Sequence, residues 1–344
     1  MKAGTRRRAP VRVDLGLQGG GAHGAFTWGV LDRLLEEPWL SYDGISGTSA
    51  GAMNAAVMID GFAAAGADGA RQGLERFWRA VSDAARFSPL QRGPLEILTG
   101  SWTLDYSPVF AALDLTARLV SPYDLGPLAS NPLEKILRDH IDFDRLKRAP
   151  IKLFVTATNV RTGRGRLFRN ADATADCLLA SACLPTLFQA VEIDGEPYWD
   201  GGYSGNPSLA PLIRECAARD TIIVQINPIE RPGTPRTARE IHNRLNEIAF
   251  NSVLIKELRA AALLRKVADP GTGEGAALAE MRLHRIASDV MIDLGYSSKM
   301  LAEWDFFLML RDAGRAAATE FLERHGDDLG VRPSLDIDRY LEGV

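Results

Sequence analysis

Apolar and polar residues alternate through Val11, Val13, Leu15 and Leu17, the period of a strand with one buried face. A glycine-rich run, Gly19-Gly20-Gly21-Ala22-His23-Gly24, interrupts this pattern, and the period then changes. Phe26, Val30, Leu31, Leu34 and Leu35 recur at helical spacing over residues 25–37, and Pro38 closes that helix. Residues 42–46 predict a short second strand. The small, apolar run from Ala50 (AGAMNAAVMI) predicts a buried helix. Strand, helix, strand, helix is the opening of an α/β fold, so we expect a three-layer α/β/α architecture with a mainly parallel central sheet.

The pattern shifts from about residue 66. Residues 72–85 read as a helix carrying Leu74, Phe77, Trp78 and Val81. Residues 87–132 are dense in proline, glycine and large apolar side chains, among them Trp102, Tyr106, Phe110 and Tyr123. A long irregular stretch of this kind is a lid or binding loop, or else a satellite packed on the core. We take 66–150 as a helical and looped insertion, with 87–123 the candidate apolar wall or lid of a binding site. A helix over 133–146 ends it.

Residues 151–160 (IKLFVTATNV) are the clearest strand, with 163–168 placed to pair beside it. A short helix of small residues spans 171–183, stopped by Pro185. Residues 191–199 contain the hairpin signal Asp194-Gly195 and lead into Asp200-Gly201-Gly202. Residues 221–227 (TIIVQIN) predict another buried strand. After Pro228 the composition turns helical: 236–267 is amphipathic, with Ile241, Leu245, Ile248, Val253, Leu258 and Leu263 as its apolar stripe. A glycine-rich loop is expected at 269–275, one more strand within 284–292, and a long helix over 299–325. The division expected is a disordered tail (1–10), a catalytic domain (11–230) and a mostly helical extension packed on it (231–344).

The chemistry concentrates in two glycine turns. Gly47-Thr48-Ser49-Ala50-Gly51 has the G-x-S-x-G spacing of a nucleophile elbow, in which a serine at a tight strand-to-helix turn projects its hydroxyl. The helix starting behind Ser49 brings its positive end to any developing oxyanion, and the earlier glycine loop can add bare amides. One such donor typically lowers the barrier by about 3 kcal/mol.

Composition narrows the partners. A net charge of −4, with no basic run beyond Arg6-Arg7-Arg8, argues against nucleic acid. Three cysteines, Cys177, Cys183 and Cys216, have no zinc spacing and are expected as buried thiols. We read no secretory signal and no membrane-spanning run. The expectation is a cytoplasmic protein whose membrane contact, if any, is peripheral, with no metal and no cofactor.

A G-G-G-x-x-G loop, then G-x-S-x-G, then D-G-G well downstream, with Ala180-Ser181-Ala182-Cys183-Leu184-Pro185 before the last, resembles the patatin-like phospholipase family over roughly residues 11–230. The resemblance implies Ser49 as nucleophile and Asp200 as its partner in a Ser–Asp dyad. The amides of Gly19, Gly20, Gly21 and Ala50 would form the oxyanion hole, with Gly24, Gly47, Gly51, Gly201 and Gly202 as motif glycines. It implies a lipid ester substrate, a phospholipid or lysophospholipid. His23 departs from the arginine or lysine that many relatives carry there.

Other readings stay open on the sequence. In a Ser–His–Asp esterase, a thioesterase or an acyltransferase, His242, His284 or His325 could follow Asp200 in chain order, although His242, His325 and His140 read as surface positions. The glycine run also satisfies G-x-G-x-x-G, with Asp43 at about the distance of a ribose-binding acid, which leaves a dinucleotide-binding module as a distant alternative.

Overall fold

The computed structural model describes residues 8–124, 131–269, 271 and 273–342. Residues 1–7 of the expected tail, 125–130 of the proline-rich stretch, and 270 and 272 of the expected glycine-rich loop lie outside the described residues.

One sheet organises the chain. Its strands are β1 (Val11–Leu17), β2 (Leu40–Gly47), β3 (Lys152–Asn159), β4 (Gly165–Arg169), β5 (Val191–Ile193), β6 (Glu196–Asp200), β7 (Asp220–Val224) and β8 (Arg282–Ile286). Their order is β5-β6-β3-β2-β1-β7-β8, with β4 also on β3. The run β3-β2-β1-β7-β8 is parallel throughout, and β4, β5 and β6 pair antiparallel. Asp194 and Gly195 both take positive φ (56° and 75°), the two left-handed positions of the tight hairpin between β5 and β6.

Successive residues along a strand face opposite ways, and here both faces are buried. Leu153 and Val155 of β3 and Ile222 and Val224 of β7 enter one core, with Phe26, Trp28 and Phe307. Phe154 and Ile223 between them enter a second core, with Leu212, Leu254 and Leu258. Two cores on two faces of one sheet make three layers, as the strand and helix order predicts.

The first core is covered by α1 (Gly24–Leu34) and α2 (Ala50–Ala84), together with the last helix described below. α2 is not a single rod. Ala65 and Gly66 leave helical geometry, Gly66 at φ 63°, and the chain doubles back on itself. The arms approach so closely at Gly61 and Gly69 that neither tolerates a side chain, and Trp78 Nε1 donates to Asn54 Oδ1 at 3.0 Å across the pair. The expected helix at 72–85 is therefore the second arm of the elbow helix. Four short helices follow: α3 (Pro94–Thr99), α4 (Pro108–Leu119), α5 (Leu133–His140) and α6 (Phe143–Lys147), then α7 (Ala175–Ser181) after β4.

The second core is covered by α8 (Ala210–Glu215) and α9 (Ala238–Val267). The helix over 236–267 forms, but the stripe assigned to it is largely on the wrong side. Ile241, Leu245, Ile248 and Leu263 are 44–60% exposed, whereas Glu247, Phe250, Asn251, Leu254 and Leu258 face inward. The inward face is part polar because Glu247 is held by Arg231 and Arg244, and Asn251 Oδ1 accepts from Gln18. A hydrophobic period cannot select a face whose buried positions include a paired carboxylate and an amide. α10 (Gly273–Glu280) stands where a loop is expected, and α11 (Trp304–His325) starts five residues later than predicted, after a 3-10 turn at Ser297–Met300.

Asp220 at the start of β7 ties the far end of the sheet to the C-terminal segment. Its carboxylate accepts from Arg282 at 2.7 Å, His284 Nε2 at 3.0 Å and the Gly330 amide at 2.9 Å, while His284 Nδ1 sits 2.9 Å from Ser334 Oγ. Burial alone would raise this carboxyl, but His284, Arg282 and Gly330 outweigh it and hold it at about 2 against an ordinary 3.8. A depressed carboxyl contributes stability above its unfolded value, lost as pH falls through the folded one. Asp220→Ala is expected to cost about 3–5 kcal/mol by urea denaturation at pH 7, since it strands Arg282 and His284. That difference should shrink between about pH 4 and pH 2.

Candidate active site

β2 ends at Gly47 and α2 begins at Ala50, so Thr48 and Ser49 alone make the turn. Ser49 takes φ 55°, ψ −124°, a conformation that costs a non-glycine residue about 1–3 kcal/mol and persists only where its surroundings enforce it. They do. Its amide donates to Ser181 Oγ at 2.9 Å, and Ser181 Oγ donates onward to the Thr156 carbonyl at 2.6 Å. Thr48 Oγ1 donates to the Gly205 carbonyl at 2.6 Å. A Cβ on Gly47 would sit 2.6 Å from the Gly51 backbone, and one on Gly51 would strike the end of β1.

The sheet register brings the carboxylate to this turn. Lys152 to Val155 of β3 pair with β2, and Ala157 to Asn159 pair with β6, on the same edge. β6 thus continues where β2 stops, and Asp200, opposite Ala157, arrives beside the elbow. Asp200 is 1% exposed and Ser49 8%. Asp200 Oδ1 accepts from the Gly202 amide at 2.6 Å, and its backbone is fixed by Cys183 and Thr158. Burial drives the Asp200 carboxyl from 3.8 up to about 7, against the Gly202 amide, the Ser49 hydroxyl and Lys299, which favour its charged form.

The glycine loop lies alongside. A Cβ on Gly19 would fall 2.8 Å from Ser49 Cβ, so its bareness makes room for the nucleophile turn. The Gly19 amide donates to Asn206 Oδ1 at 2.7 Å and so points away from the cavity that Gly20, Gly21 and Ala50 line. Gly24 abuts Ala50, and Gly201 and Gly202 pack on Thr156 and Phe250.

Ser49 and Asp200 open into a cavity of about 530 Å³. Its wall is mainly apolar: Phe77, Trp78, Ile136, Leu184, Phe188 and Phe307 contribute. Leu90 and Ala117 come from the 87–123 segment. Trp102 and Phe110 do not reach it; Trp102, partly buried, stacks beneath Arg92 and packs on the core against Phe306.

Several residues here escape sequence reasoning. Asn54 Nδ2 donates to the carbonyls of Gly24 and Ala50, both at 3.0 Å, locking elbow helix to glycine loop; an asparagine in an alanine-rich helix gives no sign of this. Gln18 Oε1 accepts from the amides of Ile226 and Asn227, joining the loop to the end of β7. Lys299 reaches the cavity from the 3-10 turn, and burial, with Arg231, pulls its ammonium from 10.5 to about 8 despite Glu247 and Asp200.

The histidines separate. His284 is bound to Asp220 and Ser334, His325 to Asp328, and His140 to the Ile136 carbonyl. His242, expected at the surface, is half-buried and lines the cavity, its ring edge-on to Tyr296 at 5.7 Å. His23 is buried, with Nε2 2.8 Å from Ser298 Oγ; burial, then Lys299 and Arg231, hold it well below its ordinary pKa and therefore neutral.

Asp43 lies four residues before the C-terminal end of β2, roughly 13 Å along the strand, too far back to meet a ribose at the glycine loop. It accepts from the amides of Ala217 and Ala218 instead. Asp14, Asp43 and Cys216 bring ligand-type atoms within 4.8 Å of one another. Asp14 is pushed to about 8 by burial and by Asp43, and its Oδ1 accepts from the Gly44 amide at 2.9 Å.

A strained serine elbow leading from a parallel strand into a helix, beside a buried carboxyl and open to an apolar cavity, is an arrangement able to carry nucleophilic ester chemistry. The patatin-like phospholipase family matches residues 15–213, more than half of the chain, and the protein belongs to that family of lipid acyl hydrolases. No curated protein matches the sequence. Among solved structures, VipD from Legionella pneumophila is similar at 16% identity, covering 97% of this chain and 79% of its own, with a TM-score of 0.36. The type III effector ExoU is similar at 16% identity, covering 92% of this chain and 53% of its own, with a TM-score of 0.32.

Proposed function

We propose that Ser49 and Asp200 act as a dyad that hydrolyses carboxylic esters of phospholipids or lysophospholipids. The observation that carries this reading is a strained serine beside a buried carboxyl, at the mouth of an apolar cavity. A carboxylate of ordinary pKa is a weak base for an alcohol; one raised to about 7 by desolvation is better matched to the task.

Ser49 Oγ attacks the ester carbonyl as its proton passes to Asp200. The carbonyl electron pair moves onto oxygen, where the amides of Gly20, Gly21 and Ala50 receive the negative charge. Collapse expels the alcohol, which takes the proton from Asp200, and leaves the acyl group on Ser49. Water then yields a proton to Asp200 and attacks the acyl ester, and the fatty acid departs with Ser49 restored. The cavity holds the acyl chain.

Access to lipid is through the surface. Leu95 and Leu98 on α3 and Leu115 and Leu119 on α4 are each more than half exposed, apolar side chains suited to peripheral contact with a bilayer. No helix among the described residues is long and apolar enough to cross a membrane.

His242 gives the second reading, because it lines the cavity and could serve as base in place of Asp200. A fluorophosphonate that mimics the tetrahedral acyl state separates the two. The dyad reading expects one label per chain, mapped by mass spectrometry to Ser49, retained at near wild-type rate in His242→Ala. A labelling rate lowered about a thousandfold or more in His242→Ala would make the site a triad instead.

A further inference from the structure

Lys299 is the one lysine or arginine among the described side chains lining the Ser49 cavity. Its ammonium donates to Asn227 Oδ1 at 2.8 Å and lies 5.7 Å from the centre of the Phe250 ring. A neutral amide and a ring face are poor compensation for a cation withdrawn from water, and the carboxylate of Glu247 is already held by Arg231 and Arg244. An ammonium has three N–H bonds, and Asn227 takes one of them.

The glycine loop itself fixes this cation in place. The Lys299 carbonyl lies 2.5 Å from where a Cβ on Gly21 would be, so the turn seats against bare backbone. Ser298 Oγ donates to the Gly295 carbonyl at 2.8 Å, which leaves it to accept from His23 Nε2 at 2.8 Å. Asn227, which receives the ammonium, donates its own Nδ2 to the Gly19 carbonyl at 2.8 Å. Gly19, Gly21 and His23 each hold the segment or the amide that aims Lys299. The loop carries no charge of its own, because His23 is neutral and spent on this tether.

We infer that Lys299 supplies the positive charge that stabilises the anionic tetrahedral state formed at Ser49. This rests on the Ser49–Asp200 reading above. In that step the Oγ–C bond forms, the serine proton moves to Asp200, and charge appears on the former carbonyl oxygen; Lys299 keeps its protons and contributes field alone. A preorganised cation in an apolar site acts on the transition state more than on a neutral ester ground state, so its signature is in kcat.

The titratable and charged groups around Lys299 are Asp200 at the end of β6 and Tyr203 just after it, His242 and Glu247 on α9, Arg231 before it, His23, Tyr296 on its own segment and Asp114 on α4. Asp200 must be charged and Lys299 protonated together, which predicts a narrow bell, rising through about pH 7 and falling as pH passes about 8.

The test uses the full chain, an uncharged medium-chain p-nitrophenyl ester, and vesicles of zwitterionic or anionic phospholipid, with wild type, Ser49→Ala, Lys299→Met and Lys299→Arg. Lys299→Met is expected to lower kcat about 10²- to 10³-fold on every substrate with KM within about twofold. Lys299→Arg should recover to within about tenfold of wild type and move the alkaline limb up by two pH units or more. Should the methionine variant fail to fold, as judged by its thermal melt, the alkaline limb of the arginine variant decides. Undiminished kcat in Lys299→Met, an unmoved limb in Lys299→Arg, or a loss confined to KM on anionic vesicles overturns the inference, the last in favour of a head-group site. Activity surviving in Ser49→Ala would instead overturn the hydrolase reading beneath it.

Discussion

Ser49→Ala is expected to release fatty acid from mixed-chain phospholipid and lysophospholipid vesicles at least 10⁴-fold more slowly than wild type. The magnitude follows from what remains. With the hydroxyl gone no acyl-enzyme can form, and Asp200 can at most activate water on a substrate still polarised by the loop amides; nucleophile deletions in other serine hydrolases cost on the order of 10⁴- to 10⁶-fold. The fold should not suffer. Alanine faces the same φ of 55° as serine, and the bond from the residue-49 amide to Ser181 Oγ uses backbone, which the substitution keeps. Thermal melts within a few degrees of wild type, beside a silent mass spectrum, locate the loss in chemistry. The chain released by wild type reports which ester position enters the cavity. Equal release by both proteins would remove Ser49 from the reaction. Release by neither would point to another acyl ester or thioester, or to transfer to an alcohol in place of water.

The elements of this site that depend on local pattern are legible in the sequence. Alternation at Val11 to Leu17, the two glycine turns, the strand at 151–160 and the Asp194-Gly195 hairpin all reappear, because each is set by neighbours in the chain. What escapes depends on partners far away. Ser181 reads as one small residue among several until Thr156 and the Ser49 amide are seen on either side of it. Lys299 reads as the polar start of a helix, and its burial follows from the contact between Gly21 and its own carbonyl, 278 positions apart in the chain. The stripe on α9 was misassigned for the same reason: Glu247 and Asn251 are buried by virtue of Arg231 and Gln18, which no period of hydrophobicity encodes. Even the meeting of Ser49 with Asp200 needs the sheet, since it arises from β6 succeeding β2 along one edge of β3.

Asp200→Asn should abolish hydrolysis and at the same time stabilise the fold. As base, Asp200 works ionised, and with its carboxyl raised to about 7 the wild-type rate is expected to fall about tenfold per pH unit on the acid side, roughly 100-fold below plateau at pH 5. Asparagine cannot accept the serine proton at any pH, so the loss is about 10³- to 10⁴-fold at the optimum and the acid limb disappears from whatever activity remains. The stability effect runs the other way. A carboxyl raised from 3.8 when unfolded to about 7 when folded contributes nothing adverse below about pH 4. Its ionisation then opposes folding increasingly up to about pH 7, by as much as about 4 kcal/mol. Asparagine has no charge to bury, and its side-chain oxygen can still accept from the Gly202 amide as Asp200 Oδ1 does at 2.6 Å. Urea denaturation at pH 8 should therefore find Asp200→Asn more stable than wild type, with the difference closing toward pH 4. Equal stability at pH 8 would mean that the carboxylate is better solvated than its burial implies, and would take away the physical reason for its strength as a base. Stability gained where activity is lost is what a site holding a costly charge for its chemistry predicts.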